Sequence, residues 1–157
     1  VKSKHRPSPN PSRDLSLKLA FLSGIIGLGF SAFSASIYFL HILYLSVTSV
    51  EATRYMASTH SIAVTLFVLS LSLDLLALLN HKSSLSLKLM LASTVCALMG
   101  YLPPAERLWK LGYINSLDET ILIAAIHVLT LTTSSLFLNK SLKEKKRTRA
   151  KAKDLTR

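Results

Sequence analysis

Residues 56–82 read MASTHSIAVTLFVLSLSLDLLALLNHK. Between His60 and Asn80 lie nineteen residues, nearly all apolar or hydroxylic, with one carboxylate, Asp74, among them. A bilayer core takes about 20 apolar residues in helical form, so the segment reads as a transmembrane helix. His60, Phe67, Asp74 and His81 recur every seven residues. Two helical turns take about 7.2 residues, so the four fall on one stripe. Polar groups are costly in lipid, so that stripe must face other helices.

Three more apolar segments surround this one, giving helices over about 15–48, 60–80, 84–102 and 117–138. The first is longer than a membrane needs and should tilt or project. Its apolar run also far exceeds a signal-peptide core of about 7–15 residues, so it reads as a retained helix. The 157-residue chain is 50% hydrophobic and only 17% charged, with a mean hydropathy of +0.40. Thirteen of its 19 Lys and Arg fall in the first thirteen residues or from Lys140 onward, leaving the middle nearly free of charge. The fold expected is all-α: a polytopic membrane protein with four transmembrane helices in an up-down bundle. Residues 1–14, rich in Pro, Ser and basic groups, read as a disordered arm. Residues 15–139 form the membrane domain, and 140–157 a basic, frayed tail.

Sixteen Lys and Arg lie in the two terminal segments and the loop between the second and third helices, against three in the other two loops. The positive-inside rule then places both termini in the cytoplasm, at the plasma membrane if the organism is prokaryotic. Pro103-Pro104 should end the third helix. The stretch PPAERLWKLGY has Pro at the first helical position and Gly112 just past the last, the signals of a short outer interfacial helix. Trp109, Tyr101 and Tyr113 would form an aromatic belt at headgroup level. Ser116 and Glu119 make a capping box that starts the fourth helix.

Helix 1 carries Ser23, Gly27, Ser31 and Ala35 at four-residue spacing, a small-residue stripe that lets another helix approach closely. It also aligns Ser31, Ser34, Tyr38, His41 and Thr48, while helix 4 aligns Thr120, His127, Thr130 and Ser134, and helix 3 Ser86, Ser93 and Gly100. A polar seam inside and leucines outside are the expectation.

Three functions can use such a seam. The reading placed first is an accessory, assembly or scaffolding subunit of a larger membrane complex, meeting other subunits or itself through the small-residue stripe. Lys143, Lys145, Lys146, Arg147 and Arg149 would then meet anionic headgroups or an acidic partner. Nothing aromatic interleaves with these charges, which disfavours nucleic acid. The second reading is a b-type haem or a metal held by His41 and His127, with His60 nearby. Counting from the helix ends, both His41 and His127 lie roughly 10 Å below the outer surface. The third is a small proton- or cation-coupled transporter using Asp74, with Tyr38 and His81 in the relay, since an intramembrane carboxylate is by default a functional candidate.

Enzymatic readings are weak. No G-x-S-x-G, phosphate loop or paired carboxylate occurs on one face, and Cys96 is the single cysteine.

Overall fold

The computed structural model describes the backbone of residues 11–48, 52–81 and 83–154. It describes the side chains of all of these except 44–48, 52–57, 149 and 151–154. The protein is all-helical: α1 (Pro11–Thr48), α2 (Ala52–Leu79), α3 (Ser84–Lys110) and α4 (Ile114–Asp154). Four spans within them are long and apolar enough to cross a membrane, Pro11–Leu43, Ser58–Leu79, Ser84–Lys110 and Ile114–Thr148. That agrees with an integral membrane protein. α1 packs on α2 and α4, and α3 packs on α2 and α4.

Helix ends differ from the expected ones, and the differences have local causes. α1 begins at Pro11, so 11–14 of the expected arm are helical, while residues 1–10 lie outside the described residues. α4 starts at Ile114 and runs on to Asp154, so most of the expected frayed tail is helix. Lys, Glu, Arg and Ala are all good helix formers, and Ser12 Oγ donates to Glu144 Oε1 at 2.7 Å, tying the extension to the start of α1.

The separate short helix expected after Pro103-Pro104 is instead the last part of α3, which runs unbroken through both prolines. The pair removes only two N–H donors, those that would reach the carbonyls of Met99 and Gly100. Gly100 also has no side chain to crowd the turn. Transmembrane helices tolerate such losses where neighbours compensate. α3 stops where the sequence says it should: Gly112 adopts φ 73°. Tyr113 N–H reaches back to the Leu108 carbonyl (3.0 Å) and Gly112 N–H to that of Trp109 (3.1 Å), the paired bonds of a Schellman ending.

Two apolar clusters form the interior. Ala77, Leu78, Met90, Ala97 and Leu131 make one, and Ala63, Phe67 and Tyr101 the other. Large aliphatic side chains such as Leu40, Val95, Leu122, Leu129 and Leu136 remain 60–65% exposed, the surface lipid would cover. Lipid tails are as apolar as leucine, so close backbone approach must do the packing. A Cβ built on Gly27 would lie 2.5 Å from Leu131 Cδ2, and one on Gly24 2.8 Å from Leu78 Cδ2. Those two glycines, rather than Ser23, admit the neighbouring helices. Ser23 is half-buried and hydrogen-bonds back to the Leu19 carbonyl (2.7 Å). Of the other stripe members, Ser31 is fully buried and Ala35 packs on the second cluster.

Candidate functional site

A run of hydroxyls and one imidazole crosses the middle of the molecule, drawn from all four helices. Ser93 Oγ on α3 lies 2.9 Å from Ser70 Oγ on α2, which lies 3.2 Å from Ser31 Oγ on α1. Ser31 Oγ is 3.0 Å from His127 Nε2 on α4, and His127 Nδ1 is 3.1 Å from Tyr101 Oη. Tyr101 Oη then meets Ser34 Oγ at 2.7 Å. All six residues are 0–4% exposed. Side-chain hydroxyls both donate and accept, and a neutral imidazole does one at each nitrogen.

That chemistry allows the run two polarities, with Ser70 Oγ and Ser93 Oγ also within reach of each other's backbone carbonyl, at 3.1 Å and 2.9 Å. If Nε2 carries the His127 proton, every donor points from Ser34 toward Ser93: Ser34 to Tyr101, Tyr101 to Nδ1, Nε2 to Ser31, Ser31 to Ser70, Ser70 to Ser93. If Nδ1 carries it, every donor points the other way. Switching the tautomer and rotating the hydroxyls interconverts the two without moving a heavy atom. Rings hold the imidazole in place. Phe30 stacks on it with centroids 5.7 Å apart and Phe67 at 6.3 Å, while Tyr101 meets it edge-on at 5.8 Å. Phe67 fits there because position 100 is glycine: a Cβ on Gly100 would lie 3.0 Å from Phe67 Cζ.

One end of the run opens. Ser34 and Tyr101 line a cavity of about 460 Å³, together with Tyr38, His41 and His60. His60 Nε2 lies 3.1 Å from His41 Nδ1, and Tyr38 sits edge-on to His60 at 5.4 Å. His60 is buried whereas His41 is exposed.

Beyond the other end lies Asp74, one helical turn from Ser70 on α2. It is 0% exposed, and neither carboxyl oxygen has a hydrogen-bond partner among the described residues. An unpartnered carboxylate in such surroundings is expensive, by several kcal/mol or about that order. His81 stands apart from the run: its Nδ1 lies 3.1 Å from the Leu78 carbonyl and its ring meets Phe21 at 5.0 Å. Tyr38 is nearer, stacked on Phe67 at 5.7 Å and lining the cavity.

The histidines expected to face each other do not. His41 pairs with His60, whereas His127 sits against Ser31. Ser31 is ten residues from His41 on α1, roughly 15 Å of helical rise. Both His127 nitrogens are also already engaged by hydroxyls, so the residues present do not fit a haem held between His41 and His127. The expected depth match fails because His41 is level with His60, at the start of the apolar part of α2, and not with His127. No group of three or more His, Cys, Asp or Glu is gathered for a metal among the described residues.

Tyr101 is the residue the sequence misassigned. It belongs to no headgroup belt: it is 4% exposed and sits in the middle of the run. The signal was present, since 93, 97 and 101 are spaced by four and Ser93 was already on the polar face. Trp109 and Tyr113 are 72% and 60% exposed. On the basic extension, Lys143, Lys146 and Arg147 are exposed and Lys145 is half-buried. The Arg149 side chain lies outside the described residues.

No family model, curated protein or solved structure matches the chain.

Proposed function

We propose that the chain is an up-down four-helix membrane protein, both termini cytoplasmic, that carries protons between its outer cavity and Asp74, as a small proton-coupled carrier does. The observation that carries this reading is the buried run Ser34–Tyr101–His127–Ser31–Ser70–Ser93, open to the cavity at one end, with unpartnered Asp74 one turn past the other. A chain of groups that reverses polarity in place is what a proton relay needs, and a buried carboxyl is a proton acceptor. The orientation rests on the sixteen-to-three division of Lys and Arg. Exposed Trp109 and Tyr113 mark the outer headgroup level, which the last turns of α3 reach.

The test is proton flux into vesicles containing the purified protein and a trapped pH-sensitive dye, driven by a potassium diffusion potential. Flux well above that of empty vesicles, reduced at least tenfold by Asp74→Asn, is expected. Flux equal to empty vesicles from folded protein overturns the reading.

The second reading, an accessory or assembly subunit, has one observation in its favour. Gly29 and Ser36 lie seven residues apart on the exposed side of α1, and a Cβ on Gly29 would meet nothing within 4 Å. A helix of another subunit, or of a second copy, could come close there, with the basic extension of α4 on anionic lipid. A larger complex that purifies with this chain and carries the activity supports it.

A further inference from the structure

The cavity at the outer end of the run has a construction that the proton pathway does not require. Its floor is polar, formed by the Ser34–Tyr101 hydroxyl pair and the Tyr38–His60–His41 group. Its sides are apolar, with Phe33 and Ile37 of α1 facing Ile123 of α4. Phe33 and Ile37 line the cavity and are also 54% and 43% exposed, so it opens on the side of the molecule, between α1 and α4, as well as toward the end of α3, where Leu111, Tyr113, Ser116 and Glu119 are exposed. Phe33 is eight residues from His41, roughly 12 Å of rise toward the membrane centre. A side opening at that depth admits molecules from lipid, while the opening beside Tyr113 and Glu119 reaches the outer surface that proton movement needs.

Charge and shape narrow the class. One guanidinium, Arg107, and one carboxylate, Glu119, sit on the wall, so the lining has no net charge to select an ion. Aromatic rings dominate the polar end: Tyr38, Tyr101 and His60 present faces and edges against which a flat ring can lie. The hydroxyl and imidazole groups there can both donate and accept, and so suit oxygens on that ring. A volume of about 460 Å³ is within the usual range for a small-molecule site.

We infer that this cavity binds a neutral, lipid-borne ring compound bearing hydrogen-bonding oxygens, of the quinone class, with its apolar tail leaving between Phe33 and Ile37. The ring oxygens then meet the Tyr38 hydroxyl or the His41–His60 pair at the floor. No electron transfer is part of the inference.

The test is calorimetric titration of a short-chain quinone, decylubiquinone, into the protein in phosphatidylcholine nanodiscs, with protein-free nanodiscs as reference. Because it reads no proton movement, its failure and the failure of the proton reading are separable. The result expected is saturable binding, one ligand per chain, weakened at least tenfold by Ile123→Trp, which fills the cavity, and three- to tenfold by Tyr38→Phe, which removes only a hydroxyl. Leu136→Phe, on the lipid-facing side, leaves binding unchanged. Uptake no greater than in protein-free nanodiscs overturns the inference. So does binding indifferent to both cavity variants, or saturable binding of myristic acid without binding of the quinone.

Discussion

Ser31 on α1 and His127 on α4 stand ninety-six residues apart in the chain, yet Ser31 Oγ lies 3.0 Å from His127 Nε2 with both side chains fully buried. That contact joins the α1–α2–α3 serines to the α3–α4 pair of Tyr101 and His127. It fixes helix register as well as connecting the run. Hydrogen bonds between transmembrane helices contribute about 0.6 kcal/mol on average and up to about 1.7. A double-mutant cycle on Ser31→Ala and His127→Phe, measured by unfolding in bicelles, should give a coupling energy in that range. A coupling near zero would show that the pair does not set register.

Glycine positions on α1 should separate sharply. At Gly27 an added Cβ would overlap the side chain of Leu131, itself fully buried, whereas at Gly29 it meets nothing within 4 Å. Gly27→Ala should therefore cost about 1–3 kcal/mol, the usual range for overpacking a tight interior. Gly29→Ala should cost nothing and gain up to about 1 kcal/mol, the helix preference of Ala over Gly where the added Cβ has room. Leu131→Ala should relieve part of the Gly27→Ala penalty. Equal effects at the two glycines would mean that α1 and α4 do not meet as described.

Asp74 should trade stability against activity. Its carboxyl is buried with no hydrogen-bond partner among the described residues, so replacing it with a neutral side chain of similar size removes an uncompensated cost. Asp74→Leu should raise the midpoint of thermal unfolding, with a gain of about 1–4 kcal/mol, while abolishing proton flux. Destabilisation by the same substitution would instead indicate a partner that holds the carboxyl in place.

Residue Phe67 gives a packing test at the centre of the site. It contacts Tyr38, Tyr101 and His127 and closes on Gly100. Phe67→Ala should cost about 3–5 kcal/mol. Gly100→Ala, which crowds the same ring, should be measurably destabilising in wild-type background and harmless in Phe67→Ala. Additive effects of the two would contradict their contact.

Much of the architecture was legible from residues 56–82 and their counterparts. Hydropathy marks the four spans because lipid demands continuous apolar surface, and the seven-residue stripe places Phe67 and Asp74 on the buried side of α2. Helix ends were not legible in the same way. Pro103-Pro104 carries a strong local signal to stop, but α3 continues, and the Lys- and Glu-rich extension of α4 reads equally as tail or helix. Depth failed for a related reason. His41 and His127 match when counted from the ends of their own helices, but packing sets them by their neighbours, His60 and Ser31. The run itself is assembled from single residues on four helices, so no local motif announces it.

The most direct test of the central claim is proton flux through reconstituted Tyr101→Phe beside wild type and Trp109→Phe. Removing one oxygen at position 101 cuts the only hydroxyl that joins Ser34 to His127 within the described run, with little change of shape. The expected result is loss of at least nine-tenths of the flux in Tyr101→Phe and none in Trp109→Phe, with both variants folded. Wild-type flux in folded Tyr101→Phe would contradict a relay through His127.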